Sequence, residues 1–468
     1  MEKKIINANE NDEILIEPGT YKIHNINITK SITLQGNGNA RDIIIDGEKK
    51  SSIFLIRSPN ISVTFKNITF INGLTHNFGG AISSETGTVY VDNCIFINNT
   101  ALSKTNAGAI SNYGTKNSRG YLFVNNSLFI TNHADHDGGA ITTCYADSDI
   151  YNSVFINNTA VRDGGAIRVS VYGYGNVQDC IFMFNHADEW GGAYYSWSGE
   201  SNIERCIFMN NTAGTNGGAV MVSGNINIED SIIVNNDGGE TGGSFYIQQP
   251  MYDTKTTISV HNNLITNNTS PYGKEVFIKW WDSYNLYTEF NDNDWGDENP
   301  NDSSINDPDN VTQRMKVTST IKSNLFSKLN VDLLDKYSDL LKDYFSDDSL
   351  DNLKKQFHNS ENPENNYATY NKTHNTNEAK TEINKKISKS ENENTNPTTD
   401  SNVKPTDTTI IVGNSTVHGE YKKAYELNES SYSVAKQTKS DLKNFIIIIA
   451  FIIVLLLIGY IRKRKVNR

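Results

Sequence analysis

Between residues 60 and 290 the apolar positions fall in short runs of β-branched and aromatic residues, broken every few positions by Gly, Asn, Asp or Ser. No stretch of this span repeats its apolar residues at the 3.6-residue period of a helix, so the pattern predicts strands and turns. The runs recur. Cys94-Ile95-Phe96-Ile97-Asn98-Asn99 is followed by Ser127-Leu128-Phe129-Ile130-Thr131-Asn132 and Ser153-Val154-Phe155-Ile156-Asn157-Asn158. Cys180-Ile181-Phe182-Met183-Phe184-Asn185 and Cys206-Ile207-Phe208-Met209-Asn210-Asn211 continue the series, with weaker echoes at 231–236 and 263–268. A second phrase alternates with the first: Gly79-Gly80-Ala81-Ile82, Ala107-Gly108-Ala109-Ile110, Gly138-Gly139-Ala140-Ile141, Gly164-Gly165-Ala166-Ile167, Gly191-Gly192-Ala193-Tyr194, Gly217-Gly218-Ala219-Val220 and Gly242-Gly243-Ser244-Phe245.

Units this short cannot bury an apolar face alone and have to stack on one another. Parallel crossovers are overwhelmingly right-handed. The expected fold is therefore all-β, a right-handed parallel β-helix with one repeat per coil and coils ~4.8 Å apart. Asn99, Asn132, Asn158, Asn185 and Asn211 would form a ladder of side-chain amides along its axis. Ala107 stands where the other copies carry their first Gly. The second Gly is thus the one expected to need a left-handed conformation or a close backbone contact, and the first is not.

Outside the repeats the character of the chain changes. Residues 1–13 form a lead-in with Lys3 and Lys4 but no apolar stretch of a signal peptide, and no capping helix is read before Ile14. The β-helix domain is expected over 14–311. Within 312–358, Leu325, Leu329, Leu333, Leu340, Leu341, Tyr344, Leu350 and Leu353 interleave with Lys and Asp, as in amphipathic helices expected to cap the last coil. Residues 359–443 are rich in Asn, Thr, Lys and Glu and read as a disordered stalk. Residues 444–462 contain the uncharged apolar run Phe445–Ile461, expected to be a transmembrane helix. The basic tail 463–468 puts the C-terminus in the cytoplasm and the β-helix outside the cell, anchored by a single pass.

The opening, with Ile14-Leu15-Ile16-Glu17-Pro18-Gly19-Thr20-Tyr21 and Ile43-Ile44-Ile45-Asp46-Gly47, resembles the start of pectate-lyase-like β-helix domains. The combined Gly-Gly-Ala-Ile and Phe-x-x-Asn phrases are similar to the repeats of chlamydial polymorphic membrane proteins, and in style to the adhesin-like surface proteins of methanogenic archaea. Asn293-Asp294-Trp295-Gly296 with Pro300 resembles the phrase that closes such domains in the archaeal group. The resemblance covers about residues 14–300. It implies a cell-surface adhesin-like protein whose lateral face binds a polysaccharide or glycoprotein. A chlamydial C-terminal barrel and the immunoglobulin-like arrays of the archaeal group have no counterpart in the sequence.

The net charge of −12 excludes nucleic acid as an expected partner. Cys94, Cys180 and Cys206 share a repeat position with Ser127, Ser153 and Ser231, which marks a small slot; a disulfide between Cys180 and Cys206 is allowed but not implied. Two sets of residues carry candidate chemistry. Asp135, Asp137, Asp163, Asp188 and Glu189 precede the Gly-Gly-Ala phrases. Asp137 and Asp163 fall in one slot of adjacent coils with Arg168 nearby, the weak candidates for a polysaccharide lyase or hydrolase. Asp135, Asp137, Asp163 and Asp188 are weak candidates for Ca²⁺. The plainer reading is Asp in a turn slot that Asn216 fills elsewhere, with no catalysis and no cofactor. The second set is aromatic: Tyr113, Tyr172, Tyr174, Trp190, Tyr195, Trp197 and Tyr246, read either as an exposed stripe for stacking on sugars or as ordinary packing.

Overall fold

The computed structural model describes residues 1–102, 107–250, 255–280, 286–296, 305–306, 316–319, 325, 329–330, 332–342 and 351. Among these the strands run from Asp12–Ile16 to Lys316–Ser319 and wind a parallel β-solenoid of about 10 turns. Strands of equivalent register pair in parallel from coil to coil, as Ile141 with Ile167 and Ile156 with Met183. They form sheets of 21, 10 and 6 strands.

One coil shows the plan. After Gly138-Gly139-Ala140 come Ile141–Cys144 and Ala146–Tyr151, successive strands of the largest sheet. Val154–Ile156 lies in the ten-stranded sheet and Thr159–Ala160 in the six-stranded one. Asn152 (φ 46°) and Asn157 (φ 52°) turn the corners between them in the left-handed conformation that Asn tolerates best after Gly. In the Asn-Asn pair the two residues divide the labour: Asn157 turns the chain and Asn158 points inward, fully buried.

The expected ladder exists. Asn158 Nδ2 donates to Asn185 Oδ1 at 3.0 Å and to the Phe129 carbonyl at 3.0 Å. Asn99, Asn132, Asn185 and Asn211 repeat the arrangement. The ladder continues through Asn236 to Asn268, whose Nδ2 donates to Glu275 Oε2 at 2.6 Å. A carboxylate thus closes a series in which each side-chain amide donates to the side-chain oxygen of the next coil. Burial pushes the Glu275 carboxyl up to about 7. Beside the ladder, Phe70, Phe96, Phe129, Phe155, Phe182 and Phe208 stack with ring centroids 4.7–4.8 Å apart.

The glycine expectation is half right. The second Gly does sit against backbone: a Cβ on Gly165 would lie 2.0 Å from the Gly192 carbonyl oxygen. The first Gly, however, is left-handed at Gly138, Gly164, Gly191, Gly217 and Gly242. Only at Gly79 and Ala107 is the turn made without positive φ, so the Ala107 copy misled the reading.

Two further readings need correction. Residues Glu2–Ile6 form a helix whose Ile5, with Ala8, is buried in the solenoid core, so a cap does precede Ile14. The helical segment Asp332–Lys336 and Ser338–Leu341 does not cap the last coil. Leu325, Leu329, Leu333, Leu334, Tyr337 and Leu341 pack laterally on the outer face of the ten-stranded sheet, against Leu128, Ile130, Val154 and Ile156. Tyr337 Oη donates to the Asn126 carbonyl and Asn330 Nδ2 to Asn152 Oδ1 at 2.9 Å, fixing the strap beside those coils. Strands such as Ile-Phe-Ile are therefore apolar on both faces: Phe turns in and the flanking residues turn out beneath the strap. Finally, the slot shared by Cys and Ser is inward. Cys180 and Cys206 are free thiols, their Sγ atoms 3.2 and 3.3 Å from the Gln178 and Glu204 carbonyls.

Trp295 of the closing phrase is fully buried, 6.2 Å from Phe290 between ring centroids. The expected stalk, transmembrane run and basic tail lie outside the described residues. No helix among the described residues is long and apolar enough to cross a membrane.

Candidate functional site

Each coil sends two outward rows of side chains from the largest sheet, one from the strand after Gly-Gly-Ala and one from the next strand. The first row holds Arg168, Tyr195, Met221 and Tyr246. Although these residues point away from the core, they are 6%, 2%, 1% and 4% exposed, because the turn preceding each Gly-Gly-Ala folds over them.

The acidic candidates lie in that overhang. Asp137 and Asp163 bridge in adjacent coils, as expected, and both are fully buried. Arg168 lies between them, its Nη1 2.5 Å from Asp137 Oδ2 and its Nε 3.6 Å from Asp163 Oδ2. Arg162 Nη1 donates to His136 Nε2 at 2.9 Å, which leaves the His136 proton on Nδ1, 2.6 Å from Asp137 Oδ1. Asp137 is thus held from two sides. Asp163 is not: both of its oxygens lack a hydrogen-bond donor, and Arg162 Nε stands 3.5 Å away. Burial pushes the Asp163 carboxyl up to about 7, against the pull of Arg168 and Arg162. Burial works against the Arg168 charge, but Asp137 and Asp163 outweigh it and keep the guanidinium protonated. Tyr195 and Trp197 cover that guanidinium at 5.7 and 5.9 Å, and Trp190 covers Arg162 at 5.6 Å.

A protonated arginine clasped between buried carboxylates has no lone pair for base catalysis, and Arg168 is only 6% exposed. Asp135 and Asp188 are elsewhere engaged, Asp135 with His133 at 3.1 Å and Asp188 with His186 at 2.9 Å. No group of three or more His, Cys, Asp or Glu among the described residues is placed to hold a metal ion.

The aromatic set divides. Tyr195 and Tyr246 are buried, so the stripe expected through them is not an exposed one; the turns that cover Arg168 cover these rings too. Trp190, Trp197 and Tyr113 are half-buried, Tyr113 against Phe78 at 4.8 Å. Tyr172 and Tyr174 are exposed at 53% and 39%, and Tyr174 opens a strand.

Tyr174 belongs to the second outward row, where further aromatic residues lie. Tyr90, Phe123, Asp149 and Asn176 pair in register across four coils, with Tyr121 and Tyr151 alongside. Ring centroids are 6.0 Å apart for Tyr90–Phe123, 6.2 Å for Tyr90–Tyr121 and 5.8 Å for Phe123–Tyr151. Asp149 sits among them and accepts from Tyr121 Oη at 2.5 Å, Tyr151 Oη at 3.1 Å and Asn176 Nδ2 at 2.8 Å. Its donors are neutral, so its charge stays on the face. Partial burial, then Asp149, pushes the Tyr151 phenol up to about 12. The signal for this row was in the sequence. Thr88-Val89-Tyr90-Val91-Asp92, Tyr121-Leu122-Phe123-Val124-Asn125 and Asp147-Ser148-Asp149-Ile150-Tyr151 alternate strictly, with aromatic, amide and carboxylate groups on the outward beat.

The architecture can now be set beside known proteins. The model of the Chlamydia polymorphic membrane protein repeat matches residues 152–170 and 205–223, each a Phe-x-x-Asn phrase followed by Gly-Gly-Ala. No curated protein matches the chain. A PL6 alginate lyase solved in complex with a trisaccharide is 12% identical, over 69% of this chain and 84% of its own, with a TM-score of 0.34. A mannuronic-acid-specific family 6 polysaccharide lyase from human gut microbiota is 13% identical, over 72% and 93%, with a TM-score of 0.31. A PL6 family polysaccharide lyase from Pseudopedobacter saltans is 14% identical, over 68% and 88%, with a TM-score of 0.26.

Proposed function

We propose that this chain is an adhesin-like cell-surface protein that binds carbohydrate through the open aromatic row of its solenoid. The observation that carries the reading is the Tyr90–Tyr121–Phe123–Tyr151–Tyr174 surface, in which ring faces alternate with amides and a hydrogen-bonded carboxylate. A sugar presents an apolar ring face and polar edges, and this surface offers a partner to each. The match to the Chlamydia polymorphic membrane protein repeat supports display at a surface. The apolar run Phe445–Ile461, with the basic residues after it, would anchor the chain as a single-pass membrane protein with the solenoid outside.

The alternative of a polysaccharide lyase or hydrolase would use Asp137, Asp163 and Arg168, and their burial weighs against it. The test is retention of the full chain, in detergent, on immobilised polysaccharides. The wild type should be retained on at least one, and Tyr121→Ala with Tyr174→Ala should abolish that retention while leaving the melting temperature unchanged. Release of oligosaccharides from the same polysaccharides would overturn the non-enzymatic reading.

A further inference from the structure

Resting on the carbohydrate reading, we propose that the open row selects polysaccharides that carry no carboxylates. Neutral and amino sugars are taken; uronate polymers are excluded.

The charge of the face carries the proposal. Asp92, Asp147, Asp149, Glu200, Glu204 and Glu229 occupy outward positions of successive strands. Lys66 stands in register beside Asp92 at one edge of the face, and the arginines beside it are engaged. Arg119 is held by Asp147 and by the Tyr172 carbonyl, and Arg205 by Asp179 and Glu204. Asp149, at the centre of the aromatic rings, is bonded by hydroxyl and amide groups and has no cation within ion-pair distance among the described residues. A uronate chain would bring a negative charge to this surface at every sugar, and would meet no unengaged arginine to receive it. A sugar hydroxyl or ammonium donates to the same carboxylates.

The experiment compares β-1,4-linked hexaglucosamine, cellohexaose and hexamannuronate as soluble ligands of the full chain in detergent, at low and high salt. The expected result is binding of the first two, with hexamannuronate at least ~10-fold weaker at low ionic strength and the gap closing near 1 M salt. Asp149→Asn with Asp147→Asn, checked for an unchanged melting temperature, should narrow the discrimination. Hexamannuronate binding as well as cellohexaose would overturn the selectivity while leaving carbohydrate binding intact. If none of the three sugars binds, the carbohydrate reading fails and the selectivity with it.

Discussion

The two outward rows of the largest sheet contain much the same chemistry and meet different fates. Arg168, Tyr195 and Tyr246 lie under turns and are buried; Tyr90, Tyr151 and Tyr174 lie on the adjoining strands and meet solvent to varying degrees. Under the turns, carboxylate charge has to be matched, and Asp137 and Asp163 clasp an arginine that is buried with them. On the open row, Asp149 keeps its charge on tyrosine and asparagine donors alone, because water shares the cost. Covering makes a charged cluster structural, and leaving it open makes it available.

The sharpest way to break this contrast is Arg168→Met, which leaves Asp137 short of its partner inside the overhang. Stability should fall by ~3–5 kcal/mol, read by chemical denaturation. A loss near that of a surface substitution would mean that water already reaches the row.

The pH dependence comes next. Asp163 and Glu275, both raised to about 7 in the fold, bind protons there more readily than in the unfolded chain, where carboxyl groups titrate near ~4. The native state therefore holds more protons across this window, and stability falls as pH rises from ~4 to ~7. Asp163→Asn and Glu275→Gln should each flatten that fall and raise the melting temperature at pH 8 relative to wild type. They should do little at pH 4, where the wild-type carboxyls are protonated in the fold. An unchanged pH profile in both variants would count against the burial of these carboxyls.

On the open row, Tyr174→Ala should leave stability within ~0.5 kcal/mol while weakening sugar retention. This separates a surface that binds from one that packs. The smallest effect is expected from Ca²⁺. Because arginine already occupies the space between Asp137 and Asp163, millimolar Ca²⁺ should move the melting temperature by less than ~1 °C. A larger rise would reopen the metal reading for Asp135, Asp137, Asp163 and Asp188.

Several parts of this organisation were legible in the chain itself. The 25- to 31-residue beat of Gly-Gly-Ala announced the coils. The repeated Phe-x-x-Asn announced both the ring stack and the amide ladder, since equal residues at equal phase must superpose when coils stack. The shared slot of Asp137 and Asp163 followed from the same phase. The open row was equally legible from strict alternation along Thr88–Asp92, Tyr121–Asn125 and Asp147–Tyr151.

Phase along the chain thus determines which way a side chain points and which residue of the next coil it meets, because register between stacked coils is set by backbone hydrogen bonds. It does not determine what lies beyond an outward-pointing side chain. That was decided by the turn before Gly-Gly-Ala closing over Arg168, and by a strap from residues 325–341 laid across Leu128 and Val154, well over a hundred positions earlier. Whether a group meets water depends on the summed contacts of segments remote in sequence, and no local pattern of polar and apolar residues contains that sum.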